Sequence, residues 1–163
     1  TVQNRPLSFW VAVFNRWQQD RQDRKAGESV DQDQFAHFLG VPPSYAIKVM
    51  ELFGTGPQGR QRVSMLVFIS AGVLFSRLMT KKIKMQFLFG LFDWDDSGSL
   101  ERPEFVLFLA SFVRALGAVF ALSGHALPAA GALRRTAEHC YDRIGEASAR
   151  RRGRAGGAGE DLS

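Results

Sequence analysis

The chain has 163 residues, of which 45% are hydrophobic and 23% charged, so its composition is that of a folded protein rather than a disordered one. Its formal net charge is +5 at pH 7, and Cys140 is its single cysteine, which excludes an internal disulfide framework and a multi-cysteine zinc site. A lone cysteine is compatible with a reducing compartment, so we expect a cytoplasmic location. Because the sequence begins at Thr1, we also expect it to be part of a longer chain.

Four sets of apolar residues recur at intervals of three and four, which is the pattern of one helix face. A polar break follows each set, and the first three breaks lead into a further apolar helix that opens at Phe35, Phe68 or Phe105. These phenylalanines are 33 and 37 residues apart, a spacing typical of repeats. We therefore predict an all-α protein of three full helix–loop–helix units and a partial fourth. The four sets are Trp10, Val13, Phe14 and Trp17; Ala46, Val49, Met50 and Phe53; Met85, Leu88, Phe89 and Phe92; and Ala137, Cys140, Tyr141 and Ile144.

The first two units, over residues 7–80, lack the pattern of a metal site. In the first break, from Gln18 to Gln34, four acids follow no alternating spacing, and we interpret them as a solvated surface. In the second break no carboxylate remains between Gly54 and Val67. We therefore predict that the second loop holds no divalent cation, and that weak, irregular binding is the alternative for the first. The acids of the first break are Asp20, Asp23, Glu28 and Asp31, and the second break carries Gly54, Gly56, Gln58 and Gly59.

The third break, residues 93–104, carries oxygen ligands at alternating positions. Asp93, Asp95 and Ser97 occupy its first, third and fifth positions, so that their oxygens converge. Gly98 permits a sharp turn at the sixth position, and Glu104 adds two carboxylate oxygens at the twelfth. Because Ca²⁺ takes six to eight oxygen ligands without strict angles, this twelve-residue spacing predicts a calcium site.

The segment from Lys81 to Phe112 resembles an EF-hand. Its first part, from Lys81 to Asp93, is similar to the third hand of calcineurin B-type and neuronal-calcium-sensor-type proteins. The resemblance implies that Ser99 supplies a backbone carbonyl and that Glu101 binds directly or through water. It also implies paired hands, calcium-linked exposure of an apolar groove, and an amphipathic target helix. The implied metal ligands are Asp93, Asp95, Ser97, Ser99, Glu101 and Glu104.

Leu100, at the eighth position of this loop, is predicted to be an extended core residue that pairs with the same position of a neighbouring loop. By default the first unit pairs with the second, and the third unit, residues 81–122, pairs with the fourth. Because the fourth unit is incomplete, pairing of the second and third units through Val63 and Leu100 is an open alternative.

Residues 129–163 are predicted to be the partial fourth unit. We expect a loop to begin after Ile144, because Ser148–Ala158 is rich in arginine and glycine and is expected to form a mobile loop or tail. No aromatic residue is interleaved with the arginines, so no nucleic-acid partner is expected. The arginines of this run are Arg150, Arg151, Arg152 and Arg154.

Together these features predict a non-enzymatic, calcium-responsive regulatory module, with Ca²⁺ as its cofactor. Its expected partner is the amphipathic helix of a target protein or a neighbouring domain of the same polypeptide. Two alternatives are a static structural or interaction domain and the calcium-regulatory segment of a larger membrane enzyme or channel. Membrane contact is less favoured, because the apolar stretch 64–76 is too short to span a bilayer and Arg114 interrupts the stretch 105–122. The sequence contains no nucleotide-binding or hydrolase motif.

Overall fold

A computed structural model describes residues 4–24, 28–56, 61–120 and 130–156. These residues form seven helices and three short strands, so the described part of the chain is mostly helical, as predicted. The helices are α1 (Leu7–Arg24), α2 (Gln32–Leu39), α3 (Pro43–Phe53), α4 (Met65–Phe75), α5 (Lys81–Phe92), α6 (Arg102–Val119) and α7 (Ala130–Gly156). The strands are β1 (Ser29–Val30), β2 (Gly54–Thr55) and β3 (Arg62–Ser64).

The second helix of each of the first three units begins three residues before the phenylalanine that predicted it. These helices are α2, α4 and α6, which start at Gln32, Met65 and Arg102. The spacing of the helix starts is therefore the same as that of the phenylalanines, and the predicted helix–loop–helix phasing is confirmed through α6.

Side-chain caps determine where several helices begin. Asp31 accepts a hydrogen bond of 3.0 Å from the backbone N–H of Gln34, whose side chain accepts one of 3.2 Å from the N–H of Asp31. Ser64 and Thr80 each accept a bond of 3.4 Å from the N–H three residues later, at the starts of α4 and α5. A cap of this kind contributes about 1 kcal/mol, because it satisfies an N–H that has no partner inside the helix. Asp31, one of the acids of the first break, thus serves to start α2.

A three-stranded antiparallel sheet, in the order β1-β3-β2, joins the first two units. Val30 lies opposite Val63 and Ser29 opposite Ser64, and both valines are fully buried. The first unit is therefore paired with the second, as expected by default. The alternative partner for Val63 was Leu100, but Leu100 lies outside any strand and packs, partly buried, against the core.

Phe68 of α4 lies at the centre of the core of the first two units. Its ring centroid is 5.7 Å from that of Trp10 in α1, 4.7 Å from Phe35 in α2 and 5.5 Å from Phe53 in α3. Every residue from Met65 to Val73 is buried, so α4 is surrounded by the other helices. Aromatic pairs of this kind each add about 0.5–1.5 kcal/mol beyond the burial of their area.

The third unit attaches to this core through both of its helices. On α6, Ala115 is fully buried with Val67 and Ala71 of α4. On α5, Leu88, Leu91 and Phe92 are buried. The loop between α5 and α6 is therefore held between two anchored helices.

The buried side of α5 differs from the predicted one. The periodicity predicted that Met85 and Phe89 face the core together with Leu88 and Phe92, but these two side chains are 41% and 43% exposed. Leu91, which the predicted face omitted, is 1% exposed. The helix is therefore rotated toward Leu91, so that Met85 and Phe89 lie at the edge of its buried side, where the Phe89 ring still stacks on that of Phe108.

Helix α7 packs along α6 through its first half. Leu133 and Ala137 are buried, the Tyr141 ring is 5.6 Å from that of Phe105, and Asp142 forms an ion pair with Arg102. Phe105 and Arg102 belong to the first turn of α6, so α7 reaches the beginning of α6 near residue 142.

The loop predicted after Ile144 is wrong over the described residues, because α7 continues as a helix to Gly156. Alanine and arginine have high helix propensity, and they dominate this stretch in spite of its glycines. Ile144, predicted to lie on an apolar face, is 54% exposed because α6 no longer lies beside it. The remainder of the predicted fourth unit, residues 157–163, lies outside the described residues.

In the part of the chain that the structure describes, no helix combines the length and the apolar character needed to cross a membrane.

Candidate metal centre

Asp93 ends α5 and holds the turn of the loop that follows. Its Oδ1 accepts a hydrogen bond of 3.0 Å from the N–H of Ser97, and its Oδ2 accepts one of 2.9 Å from the N–H of Gly98. Gly98 has a φ of 76°, in the left-handed region that a residue with a Cβ enters only at a cost. The sharp turn predicted at this glycine is therefore present. Asp96, which was not predicted to be a ligand, is exposed and has a φ of 53°.

Glu104 connects the two ends of the loop. Its Oε1 accepts a hydrogen bond of 2.9 Å from the N–H of Trp94, and its Oε2 accepts one of 3.0 Å from the N–H of Glu101. The bond to Glu101 caps α6, and the bond to Trp94 reaches back to the start of the loop. Glu104 is 8% exposed, so this carboxylate lies inside the loop rather than on its surface.

These contacts bring three carboxylates together. Asp93, Asp95 and Glu104 each offer an oxygen, and the three oxygens lie within 4.8 Å of one another. Two oxygens bound to one Ca²⁺, each about 2.4 Å from it, are at most about 5 Å apart, so this spacing suits a shared cation. It is the one group of three or more acids, histidines or cysteines with this spacing among the described residues.

The arginine of the loop does not neutralise this cluster. Residues 93–104 contain five acids and a single basic residue, Arg102, which gives a local net charge of −4. The guanidinium of Arg102 is directed to α7, where it pairs with Asp142 and lies 5.4 Å from the centroid of the Tyr141 ring. Both members of the ion pair are about half exposed, so its contribution is about 0.2–1 kcal/mol. The three carboxylates are therefore left with backbone N–H groups and hydroxyls as their partners.

Ser97 and Ser99 lie in the loop but are hydrogen-bonded to each other. The Ser97 hydroxyl donates to the backbone carbonyl of Ser99 over 2.9 Å and lies 3.4 Å from Oδ1 of Asp93. The oxygens of the predicted hydroxyl ligand and the predicted carbonyl ligand are thus adjacent, 2.9 Å apart. Glu101 is exposed, and its carboxylate is outside the cluster of three acids. Its role as a ligand stays a prediction.

Hydrogen bonding by the Ser97 side chain, and then by the Ser97 backbone N–H, lowers the pKa of Asp95 below its ordinary value of 3.8. Both bonds stabilise the ionised form of the carboxyl group. Asp95 is therefore an anion at neutral pH, which is the form that a metal ion requires.

The loops of the first two units have different partners. In the first, the Glu28 carboxylate accepts a bond of 2.7 Å from the Ser64 hydroxyl, and Asp31 caps α2. In the second, Gly54 and Thr55 form strand β2, while residues 57–60, including the predicted Gln58 and Gly59, lie outside the described residues. The described parts of these loops thus use their polar groups for the sheet and for helix caps.

Sequence spacing did not indicate the contacts of Arg102 and Trp94. The N–H of Trp94 is a backbone group, which has no signature in the sequence, and Asp142 lies 40 residues from Arg102. An oppositely charged pair on two separate helices can be recognised only once the packing of the helices is known.

We find no match to this chain among protein-family models, curated proteins or solved structures.

Proposed function

We propose that residues 93–104 bind a calcium ion in the manner of an EF-hand loop. The observation that carries this proposal is the convergence of Asp93, Asp95 and Glu104 to within 4.8 Å, with the only arginine of the loop turned toward Asp142. Three carboxylates at this distance repel one another, and a divalent cation removes that repulsion.

The donor atoms favour calcium over other metals. All the candidate ligands are oxygens, which suit a hard cation, whereas zinc and copper favour nitrogen and sulfur. Glu104 can present two oxygens to the same ion, an arrangement that calcium tolerates and that the octahedral geometry of magnesium disfavours. Because Ser97 supplies a hydroxyl in place of a carboxylate, we expect a dissociation constant near the weak end of roughly 10⁻⁷ to 10⁻⁵ M.

The proposed response to calcium begins at Glu104. In the structure this carboxylate accepts hydrogen bonds from the N–H groups of Trp94 and Glu101. A cation that binds the carboxylate pulls it toward the centre of the loop. Movement of Glu104 shifts the first turn of α6, and with it Phe105 and Phe108. Phe108 contacts Phe89 and Phe92 of α5, at centroid distances of 5.7 and 5.4 Å, so the shift would alter the contact between the two helices.

In this proposal the altered α5–α6 contact exposes apolar surface to an amphipathic helix. That helix belongs to a target protein or to a neighbouring domain of the same polypeptide, and the module itself is not an enzyme.

Isothermal titration calorimetry on matched variants tests the site. Asp95→Asn and Asp96→Asn each remove one negative charge from the loop, but only Asp95 belongs to the cluster. We expect Asp95→Asn and Glu104→Gln to weaken calcium binding by at least about 10-fold, and Asp96→Asn to leave it nearly unchanged. Absence of calcium binding by the wild type, or equal losses in Asp95→Asn and Asp96→Asn, would contradict the proposed ligand set.

A second candidate function is a static interaction domain in which calcium only rigidifies the loop. It is favoured by the hydrogen bonds of Asp93 and Glu104, which hold the turn and the two ends of the loop through backbone N–H groups. Titration with calcium in the presence of a dye that binds apolar surface separates the two candidates. A regulatory module gains dye fluorescence when calcium binds, whereas a static domain binds calcium with no change in dye signal.

A further inference from the structure

The charged residues of the chain are distributed unevenly around α5. From Leu52 to Phe92 there is no aspartate or glutamate, although this segment contains six basic residues. The acids of the third loop begin immediately after it, at Asp93. The basic residues of the segment are Arg60, Arg62, Arg77, Lys81, Lys82 and Lys84.

The outer side of α5 combines some of these cations with large apolar side chains. Lys82, Met85 and Phe89 are spaced by three and four residues, so they lie on one side of the helix, and all three are exposed. Met85 is 41% and Phe89 43% exposed, while Leu88 and Phe92, which neighbour them on the helix, are buried. The Phe89 ring also stacks on that of Phe108 in α6. Met85 and Phe89 are therefore partly exposed at the edge of the buried side of α5, next to Lys82.

The turn before α5 continues this character. Arg77 and Leu78 are exposed, Leu78 by 61%, and Lys81 is exposed at the first position of the helix. Lys84 is different, because its Nζ donates a hydrogen bond of 2.6 Å to the carbonyl of Leu74. We call the exposed cations and the exposed apolar side chains that adjoin them in this region the basic apolar face. It consists of Arg77, Leu78, Lys81, Lys82, Met85 and Phe89.

We propose that the basic apolar face binds the surface of a bilayer that contains anionic lipids. Each lysine or arginine close to such a surface is attracted to the anionic headgroups, and exposed Leu, Met and Phe side chains enter the boundary between headgroups and acyl chains. The outer side of a single helix is convex, which fits a planar bilayer, whereas a helical peptide requires a groove between elements. The charge of the face selects an anionic rather than a neutral surface.

This binding is peripheral, and it uses residues outside the metal cluster. It therefore goes beyond the proposed calcium site, and of its residues only Phe89 contacts a side chain, Phe108, that the proposed calcium response would move. Its test is carried out with chelator present, so that a failure of the calcium proposal does not affect the result.

Co-sedimentation with lipid vesicles provides the test. Wild-type protein is mixed with vesicles of phosphatidylcholine alone or of phosphatidylcholine with phosphatidylserine. Lys81→Glu/Lys82→Glu reverses two charges of the face, and Lys48→Glu/Arg135→Glu makes the same change of net charge at exposed residues of α3 and α7. We expect the wild type to bind only the phosphatidylserine vesicles, Lys81→Glu/Lys82→Glu to bind them about 25-fold more weakly, and the control to lose much less.

Met85→Gln tests the apolar part of the face without a change of charge. We expect it to weaken binding to the phosphatidylserine vesicles and to retain the circular dichroism of the wild type, because Met85 is exposed. The proposal is wrong if the wild type does not bind these vesicles, if it binds neutral vesicles equally well, or if the two charge-reversed variants lose binding equally. A dimer in light scattering that Met85→Gln converts to a monomer would assign the face to a second copy of the chain and overturn the lipid proposal.

Discussion

The carboxylate of Glu104 has two backbone partners. It accepts a hydrogen bond from the N–H of Glu101 at the start of α6 and another from the N–H of Trp94 at the start of the loop. A buried carboxylate is costly unless it is hydrogen-bonded, and these two donors offset much of that cost. Each oxygen of Glu104 accepts one N–H and keeps a further lone pair that can face a cation.

Gly98→Ala tests the turn of the loop without reference to a metal. A Cβ at Gly98 meets no atom within 4 Å, so the penalty comes only from the φ of 76°. We expect the free energy of unfolding to fall by about 1 kcal/mol, measured by urea denaturation. Gly90→Ala is the matched control, since a Cβ there also meets no atom within 4 Å and Gly90 lies inside helix α5. It should raise the stability by about 0.5–1 kcal/mol, and a loss in both variants would contradict this account.

At individual residues, the sequence predicts what depends on local spacing. The alternation of Asp93 and Asp95, followed by Glu104 at the start of a helix, is such a pattern, and the structure brings these three residues together. The roles of all six residues as metal ligands stay predictions. The pairing of Arg102 with Asp142 depends on how two helices pack, which no local pattern contains.

Among the helices, α5 shows why periodicity indicates a helix more reliably than it indicates the buried side. Apolar residues lie all around this helix, so the spacing of Met85, Leu88 and Phe89 is not the only one that can face a core. The structure instead buries Leu88 with Leu91 and Phe92, because α4 and α6 lie on that side. The sequence was sufficient to place the helix but not to choose its rotation.

The contact between α1 and α4 depends on a glycine. A Cβ at Gly72 would lie 1.8 Å from the Trp10 ring, which is itself fully buried. We expect Gly72→Ala to lower the free energy of unfolding by about 1–3 kcal/mol, in spite of the better helix propensity of alanine, because the Trp10 ring must move. Thermal and urea denaturation measure this loss. Gly145→Ala in α7 is the control, since no atom lies within 4 Å of its added Cβ, and equal effects of the two changes would contradict the steric explanation.

For the molecule as a whole, α7 has two parts. The first part packs along α6, and the second begins near residue 142, where α7 reaches the first turn of α6. Leu133 and Ala137 are buried, whereas every side chain from Asp142 to Ala147 is exposed. The helix continues from there to Gly156, about 20 Å further along its axis. An arginine-rich composition led us to predict a loop here, but helix propensity prevails over charge in this segment.

Hydrogen exchange followed by mass spectrometry tests this division of α7. We expect amides of residues 143–147 to exchange much faster than those of residues 133–141, because helical hydrogen bonds under exposed side chains open by local fraying. Amides of α4 provide the control for full protection, since α4 is buried along most of its length. Equal protection in both parts of α7 would mean that its second part is covered by other residues.

The ion pair between Arg102 and Asp142 has a consequence for the electrostatics of the loop. An arginine inside an acidic loop is a tethered counter-ion, and when it folds back onto the carboxylates it competes with a cation from solution. Asp142 removes this competitor by holding it on α7. In the proposed calcium site, linkage predicts that whatever strengthens the docking of α7 strengthens cation binding, and that a bound cation in turn favours the docked helix. The Arg102–Asp142 ion pair contributes little to stability. In this way it can still favour a dissolved cation over the chain's own arginine as the partner of the carboxylates.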